Sequence, residues 1–166
     1  MYGTGGMTPR FVDHRRGGGD SSPMYVYRYE AMREYLERNR EWDGNPYEGL
    51  LVEYTNPIRG GPVYKTMTFF MQMLRPGEKT LALKQTASLL ISPLEGSCKC
   101  IVDGETFAVD KFDTMAVPGN GWMELHNTSA TEPVILFIAS DENALDAFGL
   151  LQRSGRTASG EVVRLV

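Results

Sequence analysis

Between residues 50 and 139 the chain alternates short apolar runs with turn tracts and leaves no helical stretch between them. The runs fall near residues 50–55, 64–74, 87–91, 97–102, 106–109, 114–117, 121–126 and 134–139. They are broken by Asn56-Pro57, Arg75-Pro76-Gly77-Glu78, Glu95-Gly96, Asp103-Gly104, Pro118-Gly119-Asn120-Gly121 and Glu132-Pro133. Strands at this spacing each need to bury a face, and without intervening helices they do so as a sandwich or barrel. Asp103-Gly104 between two apolar runs is a hairpin signal, because the tight turn it favours needs backbone with positive φ. The prediction is an all-β domain with helices only at its flanks.

Helical spacing occurs on either side of this region. Tyr29, Met32 and Leu36 recur every three to four residues while Arg33, Glu34, Glu37 and Arg38 face the other way, which predicts a helix over 28–42. Asp43-Gly44-Asn45-Pro46 is its expected stop. After the last strand, Asp141 is placed to cap a helix over 142–151 with Ala144, Leu145, Phe148 and Leu151 on one face. Residues 161–165 offer a further edge strand. Residues 1–22 are glycine-rich with a basic cluster at Arg10, His14, Arg15 and Arg16, and read as an arm or linker. The expected organisation is therefore an arm at 1–22, a linker helix segment at 23–48, and one barrel with its closing helix and tail at 49–166.

The length of 166 residues suits a single domain with a real core. A net charge of −4 and the lack of a basic stripe argue against nucleic acid as a partner. No apolar run approaches the ~20 residues of a membrane span, and the N-terminus lacks the apolar core of a secretory signal, so the expected location is cytoplasmic. Cys98 and Cys100 are two apart on one strand, too close to favour a mutual disulfide, and their reduced state fits that location.

Several spaced motifs carry a resemblance. Arg75-Pro76-Gly77-Glu78, Thr86, Leu94-Glu95-Gly96, Val102-Asp103-Gly104, Val117-Pro118, Trp122 and Asn127 resemble the two conserved motifs of a cupin, a small jelly-roll β-barrel. More narrowly, Glu53-Tyr54-Thr55-Asn56-Pro57-Ile58-Arg59-Gly60-Gly61-Pro62 resembles the opening of the C-terminal cupin of gentisate-type ring-cleaving dioxygenases, which act on gentisate, 1-hydroxy-2-naphthoate or salicylate. Ser22-Pro23-Met24-Tyr25 resembles that family's linker between cupins, and Ala147-Phe148-Gly149-Leu150 its closing helix.

The resemblance implies an Fe(II) site of three imidazoles, two from a His-x-His on one strand and one following the Pro-Gly turn. Those positions here are Leu83, Gln85 and Met123. Leucine has no lone pair, an amide oxygen is a weak ligand, and a thioether suits a softer metal than Fe(II). No cofactor is therefore expected at this site, and the catalytic residues, if any exist, are not identified. In the family the C-terminal cupin often lacks a complete site and leaves catalysis to the N-terminal one. His126 should face away from Met123, as should Glu124. Cys98 and Cys100 read better as small buried hydrophobes than as metal ligands. The expected lining of the barrel comprises Phe69, Met71, Met73, Leu83, Gln85, Leu89, Cys98, Cys100, Met115, Met123, Leu125 and Phe137. Such a cavity suits a small hydrophobic or aromatic ligand, or collapse onto its own side chains.

Three functions remain open on the sequence. One is a metal-free structural or oligomerising module that pairs with a catalytic cupin. The second is a dioxygenase subunit or fragment whose iron is held elsewhere. The third is a small-molecule binder or metal-independent enzyme, of isomerase or cyclase type, with Gln85 and Lys84 near the chemistry. Exposed sheet edges predict a homodimer or higher assembly, with the glycine-rich arm and the 161–165 tail as candidates for exchange between protomers.

Overall fold

The computed structural model describes residues 26–57 and 60–165. The expected arm at 1–22 lies outside the described residues. In chain order the elements are α1 (Tyr29–Arg38), β1 (Leu50–Glu53), β2 (Thr68–Leu74), β3 (Leu83–Gln85), β4 (Leu89–Glu95), β5 (Cys98–Val102), β6 (Glu105–Val109), β7 (Met115–Val117), β8 (Trp122–Asn127), β9 (Val134–Ser140), α2 (Glu142–Ala147), β10 (Arg153–Arg156) and β11 (Val162–Arg164). They form two antiparallel sheets, β1-β2-β9-β4-β7 and β11-β10-β3-β8-β5-β6. The fold is a cupin jelly roll flanked by two helices.

Strand alternation divides the apolar side chains between two cores. Leu74, Leu89, Ile91, Cys98, Cys100, Leu125, Leu136 and Ile138 fill the space between the sheets, with Phe70 and Met115 packed against them. Leu36 from α1 meets Met71, Met73 and Ile135 on the outer face of the five-stranded sheet, together with Phe69 and Phe137. Four residues expected to line the barrel, Phe69, Met71, Met73 and Phe137, therefore belong to this outer core. A one-residue change in parity moves every side chain of a strand to the opposite face. Both faces of β2 and β9 are apolar because α1 covers the outer one, so hydrophobic pattern alone did not distinguish them.

Both helices are shorter than expected. α1 ends at Arg38, where Asn39 donates its Nδ2 to the Tyr35 carbonyl at 2.7 Å and competes with continuation of the helix. α2 ends at Ala147. Leu150 N–H donates to the Leu145 carbonyl and Gly149 N–H to that of Asp146, the paired bonds of a Schellman motif, with Gly149 at φ 67°. Strand β2 starts at Thr68, four residues later than expected. β3 and β10 were absent from the strand pattern because Leu83-Lys84-Gln85 and Arg153-Ser154-Gly155-Arg156 carry too few apolar residues to register as strands.

Ties between elements set the barrel's mouth. Arg75 donates its Nε to the Arg40 carbonyl at 2.6 Å and a terminal nitrogen to the Trp42 carbonyl, fixing the exit of α1 to the β2–β3 turn. Thr86, just after β3, donates its hydroxyl to the Leu150 carbonyl at 2.9 Å and accepts from Gln152 N–H at 3.0 Å. Gly119 passes so close to Thr86 that a Cβ would overlap its carbonyl oxygen. Its neighbour Asn120 donates to the Gln85 carbonyl at 2.6 Å.

Candidate functional site

Leu83 and Met123 are direct cross-strand partners on β3 and β8. Both point into the barrel, 3% and 6% exposed, and Gln85 lies two residues along the same face at 7%. The three positions do converge on one cup, together with Leu51, Phe70, Gln72, Leu89 and Ile138. The volume left there is about 20 Å³, room for roughly one water. This cup is filled by its own side chains.

Polar groups gather at its rim. Tyr47, Glu48 and Glu142 also line it, and Arg153 pairs with Glu48. Burial raises the Glu142 carboxyl above the usual carboxylate range; Arg153 opposes the shift, while Glu48, Glu53 and Asp146 add to it. Tyr47 packs closely against Gly155 of β10, where a Cβ would overlap its ring. Gln72 donates its Nε2 to the Glu48 carbonyl at 2.6 Å.

The residues present do not fit an Fe(II) centre. One amide oxygen stands where three imidazoles would, flanked by a hydrocarbon and a thioether. His126 is on the outer face of β8, its Nε2 3.2 Å from Glu124 Oε2. Among the described residues no group of three or more His, Cys, Asp and Glu side chains is placed to hold a metal ion. Cys98 and Cys100 are buried in the barrel core. Burial pushes the Cys98 thiol up to about 11, and burial with the neighbouring Cys98 pushes Cys100 to about 12. Both thiols are therefore harder to ionise than an ordinary cysteine. Asn127, buried at the end of β8, donates its Nδ2 to the carbonyls of Arg75 at 2.9 Å and Glu132 at 2.8 Å. Lys84 faces outward, its Nζ 5.8 Å from the Trp122 ring centroid, and so does not serve the cup.

A second cavity lies outside the barrel. Tyr27, Tyr54, Val63, Tyr64, Phe69 and Phe137 surround about 320 Å³ beside the outer core. Phe69 and Phe137 stack with centroids 5.8 Å apart, and Tyr54 and Tyr64 each meet one of them at a steep angle. Sequence reasoning missed this recess because its walls come from the residues entering α1, the residue after β1, β2, β9 and the segment around Val63 and Tyr64.

Comparison with known proteins fits this architecture. The chain is 36% identical over 108 residues to 1-hydroxy-2-naphthoate 1,2-dioxygenase of a Nocardioides species, covering 65% of this chain and 28% of that protein. It is 32% identical over 139 residues to gentisate 1,2-dioxygenase 1 of Aquipseudomonas alcaligenes, covering 82% and 39%. The fold superposes with a TM-score of 0.69, at 25% identity, on a point mutant of salicylate 1,2-dioxygenase from Pseudoaminobacter salicylatoxidans solved with gentisate. That match covers 78% of this chain and 36% of the other. The chain is a cupin homologous to the gentisate-type dioxygenases. No family model matches it. This cupin spans from 28% to 39% of the length of the curated relatives it matches. Among its described residues, no helix is long and apolar enough to cross a membrane.

Proposed function

We propose that this cupin is a non-catalytic module of the gentisate-type dioxygenase family, a scaffold that pairs with a catalytic cupin or with its own copy. The observation that carries the reading is the packing of Leu83 against Met123 in a cup with about 20 Å³ to spare. A ring-cleaving site needs open positions for metal, oxygen and an aromatic substrate, and a cup of that size admits none of the last. An apolar groove of about 340 Å³ that includes Met67, Leu90, Ala116 and Pro118 supports the scaffold role, as surface that a partner would cover.

Two measurements test it. After anaerobic loading with Fe(II), the purified chain should retain no stoichiometric iron and consume no oxygen with gentisate; stoichiometric iron with turnover overturns the reading. In sedimentation at micromolar concentration, alone and mixed with a catalytic cupin of the family, an assembly larger than the monomer is expected. A monomer under both conditions overturns the scaffold role.

A second reading rests on the aromatic recess. Its 320 Å³ falls in the range of small-molecule sites, so a small aromatic ligand would bind there and not in the barrel. Thermal shift across a panel of aromatic acids, abolished by Phe137→Ala, is its test; no shift from any member counts against it.

A further inference from the structure

The cup that packs Leu83 against Met123 also collects polar atoms that the jelly roll leaves unused. Gln72 on β2 enters it from the five-stranded sheet and Gln85 on β3 from the six-stranded one, 1% and 7% exposed. The orientation of the Gln72 amide is fixed, because its Nε2 donates to the Glu48 carbonyl and leaves Oε1 free for another donor. Gln72 Oε1 and Gln85 Oε1 are both buried without a hydrogen-bond partner. Arg153, directly opposite Gln85 in the β3–β10 ladder, has its Nε buried in the same condition. Buried polar atoms are almost always paired, and two acceptors lining one cavity call for a shared donor.

Size and chemistry narrow what that donor is. About 20 Å³ admits one non-hydrogen atom. The walls beyond the two amides are the hydrocarbon of Leu51, Phe70, Leu83, Leu89 and Ile138 and the thioether of Met123, and the other oxygens that line it belong to Tyr47, Glu48 and Glu142. A divalent hard cation needs six or more oxygens around it; the Glu48 carboxylate is engaged by Arg153, and about 20 Å³ leaves no room for the waters that would complete the shell. A molecule that donates at least two hydrogens to acceptors on opposite walls does fit. We infer that the cup is a sheet-bridging site for one small hydrogen-bond donor, with the size and donor pattern of water or ammonium, held between Gln72 Oε1 and Gln85 Oε1. It joins β2 to β3 across the barrel at the place where the resembled family would hold a metal. Ammonium would be favoured by the Glu142 carboxylate, which also lines the cup.

The test is a high-resolution crystal structure of the full chain grown without ammonium, paired with NMR of the chain in 15N-labelled ammonium chloride. A single scatterer within about 2.7–3.2 Å of both oxygens is expected. A slowly exchanging bound 15N–H signal with cross-peaks to Leu83 and Met123 methyls identifies ammonium; density without that signal identifies water. A dry cup in the crystal with no bound ammonium signal overturns the inference. Gln72→Met/Gln85→Met removes both acceptors at similar volume, and the density should vanish with them. Should that variant fail to fold, Gln85→Met alone gives the same reading through loss of the scatterer. Density that persists in either variant, held by other atoms, equally overturns it.

Discussion

Leu83 on β3 faces Met123 on β8 as its cross-strand partner, and both side chains turn into the barrel. Their neighbours Lys84 and Trp122 pair on the outer face, where Lys84 and Arg156 both lie over the indole. Two positions that the family resemblance matches to ligands of one metal are thus adjacent in space though forty residues apart in sequence, and here they make an apolar contact.

Restoring imidazoles at these positions should therefore restore metal linkage at a cost in apo stability. Leu83→His puts a polar ring into a packed apolar contact, with an expected loss of about 1–3 kcal/mol. In the triple variant Leu83→His/Gln85→His/Met123→His, added Fe(II) or Zn(II) should raise Tm by mass action on the folded state, while the parent's Tm stays fixed. Calorimetry with and without metal checks this, and a metal-dependent Tm in the parent would contradict it.

The mouth of the cup depends on a glycine. Gly155 on β10 has no space for a Cβ because the Tyr47 ring occupies it. Gly155→Ala should displace Tyr47, expose the Glu48–Arg153 pair, and destabilise the protein by roughly 1–3 kcal/mol through overpacking. Chemical denaturation measures the loss. Tyr47→Ala in the same background should recover part of it, since the clash then has no partner.

The jelly roll and its turns were legible because the period-two runs and their Gly, Pro and Asp breaks are local signals. The grouping of positions 83, 85 and 123 came only from the resemblance to the dioxygenase family, and the structure has all three lining one cup. The facing of Phe69, Met71, Met73 and Phe137 was not legible, since β2 and β9 bury both faces and only the docking of α1 decides which residues meet it. The cup's polar rim escaped notice for a related reason. Glu48, Gln72, Glu142 and Arg153 lie far apart in sequence on a loop, a strand, a helix start and a late strand, and no local pattern links them.

Glu142 gives the protein a pH dependence of definite sign. Its carboxyl is raised by burial, with Glu48, Glu53 and Asp146 adding and Arg153 opposing. A carboxyl whose folded pKa exceeds its unfolded value binds more protons when folded, so stability falls as pH rises through that window. Above the raised pKa the buried carboxylate is a standing cost. Glu142→Gln should be more stable than the parent at neutral pH, and the gain should shrink as pH falls toward the ordinary value of 4.5. Denaturation midpoints across pH 4–8 test it; a gain that does not depend on pH would assign the effect to packing.

Asn127 ties the β8 end to two loops. Its Nδ2 serves the carbonyls of Leu74, Arg75 and Glu132, and its Oδ1 accepts from Ser129 N–H at 2.9 Å. Asn127→Ala leaves buried carbonyls without a donor and should cost about 2–4 kcal/mol. Asn127→Asp should also destabilise at neutral pH, because a carboxylate accepts but cannot donate. Equilibrium unfolding of both variants checks this; an Asp variant as stable as the parent would show that the donor contacts contribute little.

The two cysteines report on opening of the barrel. Both sit in the core between the sheets, with thiols raised to about 11 and about 12. Thiolate is the reactive form, so at pH 8 the folded protein should resist alkylation by both kinetic access and protonation state. Modification should proceed only through unfolding, with Cys98 and Cys100 labelled together and at one rate. Mass-resolved labelling with iodoacetamide across denaturant separates the cases. If Cys98 reacts in native buffer ahead of Cys100, the β5–β6 edge opens locally; equal protection tracking the global midpoint is the expected result, since β5 is held between β6 and β8.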